Sequence, residues 1–166
     1  MTDTAITRPL VLVGVDGSDE GAKAVAWAAD YATRTGGTLE MLMAWQGLTS
    51  YGYPLAIPGF DPGAAARSMM EKAAAEVSLP RERLRTTVVA GSPAQQLVAA
   101  SRRANLLVVG SRGHGGLIGL LRGSVGAHSV HHAHCPVVVI RPADVDRVPE
   151  PSKTKVDDLD SEESNR

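Results

Sequence analysis

The chain has 166 residues, of which 43% are hydrophobic and 21% are charged, and its formal net charge is -1 at pH 7. These values fit one globular domain and exclude a collagen, a coiled coil and a wholly disordered chain. The single cysteine, Cys135, excludes an internal disulfide and a four-cysteine zinc site. The first apolar run is too short for a signal sequence or a membrane span, so we expect a cytoplasmic protein without a membrane partner.

Charge is unevenly distributed along the chain. Residues 143–166 contain eight acidic and four basic residues, so residues 1–142 carry about +3. This excess is too small to favour a nucleic-acid partner. The polar, proline-containing segment 143–166 is predicted to be an acidic disordered tail, and residues 1–8 an N-terminal extension.

Short apolar runs alternate with helical patterns, which predicts a parallel sheet covered by helices on both faces. The predicted strands are Leu10 to Val15, Thr38 to Ala44, a weaker one over Leu84 to Val89, Leu106 to Gly110 and Pro136 to Ile140. The predicted helices run from Ser18 to Gly36, Ala66 to Val77, Ser92 to Arg103 and Ser124 to Ala133. Ser18, Ser92 and Ser124 are their expected N-caps.

Two further features of this pattern bear on function. Between Gln46 and Gly63, proline and glycine are too frequent for regular structure, which leaves a mobile surface loop or an active-site lid. In the second helix, Met69 and Met70 are interpreted as core filler rather than as the lining of a ligand pocket.

A glycine-dense segment follows the fourth strand. In LLVVGSRGHGGLIGLLRGSV, two residues separate Gly110 from Gly113, nine separate Gly113 from Gly123, and Ser124 follows. Glycine permits positive φ and lets backbone N–H groups approach phosphate oxygens. The amides of Gly123, Ser124 and Val125 would lie at the positive end of the last helix. The segment therefore predicts a phosphate-binding loop.

Two better-known phosphate motifs do not fit this segment. A Walker A loop has a lysine between its last glycine and the hydroxyl residue, whereas here Gly123 precedes Ser124 directly. The dinucleotide pattern counted from Gly113 and Gly115 would need a third glycine where Ile118 stands.

The glycine spacing resembles the signature of the ATP-binding universal stress proteins. The segments VLVGVDGS, VVAGSPAQQLVAA and CPVVVIRP also resemble that family in order and spacing, and the resemblance covers residues 9–142. It implies a universal stress protein domain of the α/β class. The implied architecture is a three-layer, open twisted parallel sheet of five strands in the order 3-2-1-4-5, Rossmann-like and similar to the adenine nucleotide alpha hydrolases.

The resemblance also implies a site between the first and fourth strands, where an open sheet binds ligands. It places Asp16 near ribose and phosphate or a bound Mg²⁺, whereas without it Asp16 is equally a turn or capping residue. It assigns the adenine edge to the backbone of Ala44. In the loop, Arg112 and His114 either meet phosphates or face solvent. The whole predicted binding set is Val15, Asp16, Ala44, Gly110, Arg112, Gly113, His114, Gly115, Gly123, Ser124 and Val125.

The predicted site is compatible with three functions. The favoured one is a regulatory module in stress response that binds ATP without catalysis, because nothing resembling a catalytic base accompanies the loop. The alternative is a slow ATP hydrolase or nucleotidyl-transferring enzyme, in which Asp16 holds Mg²⁺ and Arg112 or His114 supports the phosphate charge. The third is a protein-interaction module with a vestigial pocket.

Two other features lie near the end of the predicted domain. His128 and His132 have the i, i+4 spacing of a metal pair, but the glutamate of the zinc-protease pattern is missing, and a surface role explains them without a ligand. The last strand would form a sheet edge, which proteins usually protect. The family resemblance implies a homodimer through Val137–Ile140.

Overall fold

The structure, a computed structural model, describes residues 8–47, 57–111 and 124–141, together with the backbone of residues 49–50 and 53–54. Apart from two short strands within residues 49–54, strands and helices alternate along the described ranges. The helices found there are all too short or too polar to cross a membrane.

Five parallel strands form the central sheet, and a separate pair forms a hairpin. The strands are, in chain order, β1 Leu10–Gly14, β2 Thr38–Trp45, β3 Thr49–Ser50, β4 Tyr53–Pro54, β5 Leu84–Ala90, β6 Leu106–Gly110 and β7 Val137–Ile140. The large sheet has the order β5-β2-β1-β6-β7, with every neighbouring pair parallel. Counted among its own five strands this order is 3-2-1-4-5, which confirms the predicted α/β fold.

Helices cover the sheet on both faces. They are α1 Asp19–Arg34, α2 Pro62–Ala75, α3 Pro93–Ser101 and α4 Ser124–His132. Alternate residues of β1 point to opposite faces of the sheet. Val11 and Val13 pack in a core with α1 and α2, whereas Leu12 packs in a second core with α3. Val125 of α4 borders that second core. The molecule thus has three layers, with β1 in the middle of the sheet.

Residues close in sequence cap both ends of α1 and the start of α2. Ser18 caps α1 through its Oγ, which accepts the N–H of Gly21 at 3.0 Å. After the helix, Gly36 has a φ of 67°, and the N–H of Gly37 returns to the carbonyl of Ala32 at 2.8 Å. Asp61 caps α2 through its Oδ1, which accepts two backbone N–H groups.

Several local predictions are wrong in detail. The segment after β2 contains the antiparallel pair β3 and β4, and α2 already begins at Pro62 because Asp61 caps it. Ser92 occupies the N-cap of α3 but its side chain makes no capping hydrogen bond. Ser124 belongs to α4 itself. Met70 is buried as predicted, whereas Met69 is 39% exposed.

Candidate functional site

The predicted site lies where the carboxyl ends of β1 and β6 meet. These strands are neighbours, with Val13 opposite Val108, but the helices that follow them lie on opposite faces of the sheet. Such a reversal opens a crevice at the carboxyl edge of a parallel sheet, where ligands of this architecture bind. Val15 and Asp16 follow β1 at this edge, and Gly110 ends β6.

The junction between β1 and α1 is a tight turn stabilised by its own polar groups. Oδ1 of Asp16 accepts the backbone N–H of Ser18 at 3.0 Å and its hydroxyl at 2.7 Å. Gly17 has a φ of 76°, and a Cβ there would collide with the end of Met69. A Cβ at Gly21 would collide with Oδ1 of Asp16, so that glycine makes room for the carboxylate.

Asp16 therefore has the structural role that the sequence left as an alternative. This role occupies Oδ1, whereas Oδ2 accepts no hydrogen bond within the described ranges. Val15 is nearly buried, and its N–H donates to the carbonyl of Leu42 on β2 at 2.9 Å. The junction thus presents Oδ2 of Asp16 at the sheet edge. A ligand role for this oxygen stays a prediction.

At the junction between β6 and α4, the first turn of the helix packs against the end of the strand. The N–H of Ser111 donates to the carbonyl of Ile140 at 2.8 Å, which extends the β6–β7 ladder by one residue. Gly126, in the first turn of α4, is buried so close to β6 that a Cβ there would lie 3.4 Å from the carbonyl oxygen of Gly110. The first described turn of α4 therefore lies beside the end of β6.

Ser111 is a candidate that the sequence reasoning missed. Its Oγ is buried and has no hydrogen-bond partner among the residues that the structure describes. A buried hydroxyl without a partner is costly, and such groups are rare in folded proteins. The available signal was its position directly after Gly110, where the buried strand leads into the glycine segment.

The other predicted residues divide into two groups. Ala44 lies near the carboxyl end of β2, two residues beyond the Leu42 carbonyl that binds Val15, and it is half-buried on the face of α3 and α4. Ser124 is exposed and Val125 is half-buried at the start of α4. Outside the described residues lie Arg112, Gly113, His114, Gly115 and Gly123.

A groove of about 730 Å³ runs between α1 and α2. Its walls include Ala22 and Ala29 of α1 and Ala73 of α2, and it extends to Val15 and Gly17. It therefore lies on the face of the sheet opposite α4. Of the described residues in the predicted binding set, Val15 is the one that lines this groove.

Cys135 lies at the entrance to β7 and is half-buried. Burial raises the pKa of its thiol, and a hydrogen bond with the backbone of Leu107 lowers it by less. A raised thiol pKa disfavours the reactive thiolate. Cys135 therefore suits a structural role at this position better than a reactive one.

Comparison with known proteins decides the family. The family model described as the universal stress protein family matches residues 9–141. The chain belongs to this family. A universal stress protein of Mycobacterium tuberculosis is 42% identical over 137 residues, which cover 79% of this chain and 44% of the relative. One of Mycobacterium bovis is 40% identical over 136 residues, covering 79% and 45%. This universal stress protein thus spans less than half the length of these curated relatives.

Solved structures share the fold of this universal stress protein. The universal stress protein UspA from Lactobacillus plantarum is 26% identical, with a TM-score of 0.61, and covers 80% of this chain and 97% of its own. A universal stress protein solved in complex with cAMP is 26% identical, with a TM-score of 0.60, and covers 81% of this chain and 98% of its own. The family and the architecture are therefore those that the glycine spacing implied.

Proposed function

We propose that this universal stress protein binds ATP at the carboxyl ends of β1 and β6 and acts as a regulatory nucleotide-binding module in a stress response. The observation that carries the proposal is the approach of Gly126 to the carbonyl of Gly110. A loop whose two ends meet at a sheet edge favours backbone amides that converge on one anion. The N-terminus of α4 adds a positive partial charge at the same place.

A relative supports the class of ligand. The universal stress protein solved in complex with cAMP carries an adenine nucleotide on a fold that matches 81% of this chain. ATP rather than a monophosphate is proposed from the spacing of Gly110, Gly113 and Gly123, which resembles that of the ATP-binding members of the family. In this proposal the backbone of Ala44 contacts the adenine edge.

Asp16 is the residue of the described site that suits a magnesium ion accompanying the nucleotide. Mg²⁺ prefers oxygen ligands and usually contacts one or two carboxylates together with the phosphates and water. Since Ser18 uses only Oδ1 of Asp16, Oδ2 is the oxygen that would contact the ion or its water. The ion would lower the charge repulsion between this carboxylate and the phosphates.

The direct test identifies the molecule that purifies with the protein. We expect freshly purified protein, after denaturation, to release ATP in mass spectrometry, and emptied protein to bind added ATP. Release of cAMP or AMP with no affinity for ATP would contradict the triphosphate assignment. A protein that is empty and ignores millimolar ATP would instead be an interaction module.

The same preparation separates binding from catalysis. A regulatory module converts at most one equivalent of ATP per chain. Multiple turnovers to ADP or AMP that Asp16→Ala abolishes would identify the slow hydrolase or nucleotidyl-transferring enzyme instead. Retention of turnover in that variant would point to a contaminating ATPase.

We also propose a homodimer through the outer edge of β7, which is the last strand of the sheet in the described ranges. The carbonyl of Ile140 faces β6, because it accepts the N–H of Ser111. Successive residues of a strand alternate in direction, so the backbone groups of Val137 and Val139 point to the outer edge. In the proposed dimer these groups pair with a second copy of the chain.

Val139→Pro tests this edge without removing a bond to β6, because proline lacks the outward N–H. We expect the wild-type protein and the control Val139→Ala to have a dimeric mass in light scattering at micromolar concentration, and Val139→Pro to be monomeric. A monomeric wild-type protein would refute the dimer. A dimeric, folded Val139→Pro variant would place the interface elsewhere.

A further inference from the structure

The last helix carries a pair of imidazoles that the nucleotide site does not use. His128 and His132 are separated by one helical turn, and their ring centroids lie 4.4 Å apart with an angle of 43° between the planes. His128 is half-buried, and His132, the last residue of α4, is exposed. The sequence alone favoured a surface role without a ligand, but the ring geometry adds an observation that bears on this interpretation.

The separation of the two rings is short enough for one nitrogen of each ring to reach a shared metal ion. Imidazole nitrogen binds ions such as Zn²⁺ at about 2.0–2.1 Å. Two rings that bind one ion with an N–metal–N angle of roughly 90° therefore have centroids about 4.5 Å apart. The neighbouring ring of His131 lies 6.4 Å from that of His132, beyond this separation. Of these two ring pairs in the described ranges, the pair of His128 and His132 is the suitably spaced one.

The position on the helix also favours a cation. The last turn of α4 includes His131 and His132 and ends at the negative pole of the helix dipole. In the part of the chain that the structure describes, no three His, Cys, Asp or Glu side chains are grouped so that they could hold a metal ion. The two imidazoles would therefore leave coordination positions to water or to an outside ligand.

We propose that His128 and His132 form an open two-nitrogen site for a borderline transition-metal ion of the Cu²⁺, Ni²⁺ and Zn²⁺ class. Imidazole suits these ions, whereas Mg²⁺ prefers oxygen, so this site is chemically distinct from the one proposed at Asp16. Affinity should follow the general order for nitrogen ligands, with Cu²⁺ bound more tightly than Ni²⁺. The proposal does not depend on nucleotide binding.

The test uses the full chain without a histidine tag, freed of metal with a chelator and titrated calorimetrically with Cu²⁺ and then Ni²⁺ alone. We expect one ion per chain. Because two linked ligands bind far more tightly than either one, His128→Ala and His132→Ala should each weaken binding by about a hundredfold. The loss in the double variant should be smaller than the two single losses combined, since each single substitution already removes the shared site.

His131→Ala is the matched control, because it removes an exposed imidazole from the same turn. It should bind Cu²⁺ like the wild type, and circular dichroism should show that every variant keeps its helix content. Equal losses in His131→Ala and His132→Ala, or additive losses in the double variant, would overturn the proposal in favour of unspecific binding. Binding that survives in Gly123→Val would separate this site from the nucleotide site.

Discussion

Two strand-to-helix junctions meet at the predicted site, and they satisfy their polar groups differently. At the β1–α1 junction, Asp16 and Ser18 bind each other through two hydrogen bonds. At the β6–α4 junction, Ser111 has a buried hydroxyl without a partner in the described ranges. Paired groups stabilise a turn, whereas an unpaired buried group needs a ligand or another partner. We therefore expect the first junction to matter most for stability and the second for binding.

The largest expected effect comes from the second junction. Gly123→Val should lower ATP affinity by about a hundredfold or more, because a branched side chain keeps two or more amides from the phosphates and each such bond contributes about 1.5–3 kcal/mol. Calorimetric titration measures the affinity, and thermal unfolding checks that the fold survives. Unchanged affinity in a folded variant would place the phosphates elsewhere.

The next effect concerns stability at the first junction. Gly17→Ala should lower the free energy of unfolding by about 2 kcal/mol, through positive φ and the collision with Met69. Gly36→Ala is the matched control, because Gly36 has a φ of 67° but no atom within 4 Å of an added Cβ. It should cost about 1 kcal/mol. Equal losses in urea denaturation would show that Met69 simply moves aside.

Asp16→Asn separates the two roles of the first junction. The amide oxygen can still accept the bonds of Ser18, so the free energy of unfolding should change by less than about 0.5 kcal/mol. The lost charge should weaken ATP binding about tenfold when Mg²⁺ is present and not when it is absent. Equal affinities for ATP with Mg²⁺ in the variant and the wild type would leave Asp16 with its structural role alone.

The smallest effect tests the unpaired hydroxyl. Ser111→Ala should weaken ATP binding about threefold, the value of one modest neutral hydrogen bond, while the nucleotide-free protein stays as stable or gains up to about 1 kcal/mol. Ser129→Ala is the control, because Ser129 is the second buried hydroxyl without a partner in the described ranges and lies further along α4. It should leave ATP affinity unchanged. An equal loss of affinity in both variants would indicate a general effect on α4.

Much of the fold could be predicted because it depends on local patterns. The strand over Leu106–Gly110 has the predicted bounds, since a continuous apolar run between polar residues fits a strand buried on both faces. Ser18 caps α1 as predicted, because capping involves only the next few residues. The hairpin of β3 and β4 was missed, since its two-residue strands are too short to show an alternating pattern.

The site could be predicted only as a set of residues. Gly110 and Ser124 are marked by glycine spacing, but the approach of α4 to the end of β6 depends on Gly126 packing beside Gly110, which is a contact between two elements. Ser111 carries no motif, and its importance rests on burial and on the absence of a partner in the described ranges. The geometry of His128 and His132 likewise depends on side-chain conformation, whereas the sequence shows only their spacing.

The strands of the large sheet, the four helices, the glycine pattern and the family could be read along one chain, because they follow from periodicity and spacing. The pairing of polar groups that lie far apart in the chain depends on tertiary contacts. Glu40 illustrates this, since a charged residue in β2 has a side chain only 4% exposed, bound by Arg103 at 2.7 Å and Thr87 at 3.0 Å. Such partners come from distant segments, and neither hydropathy nor spacing specifies them.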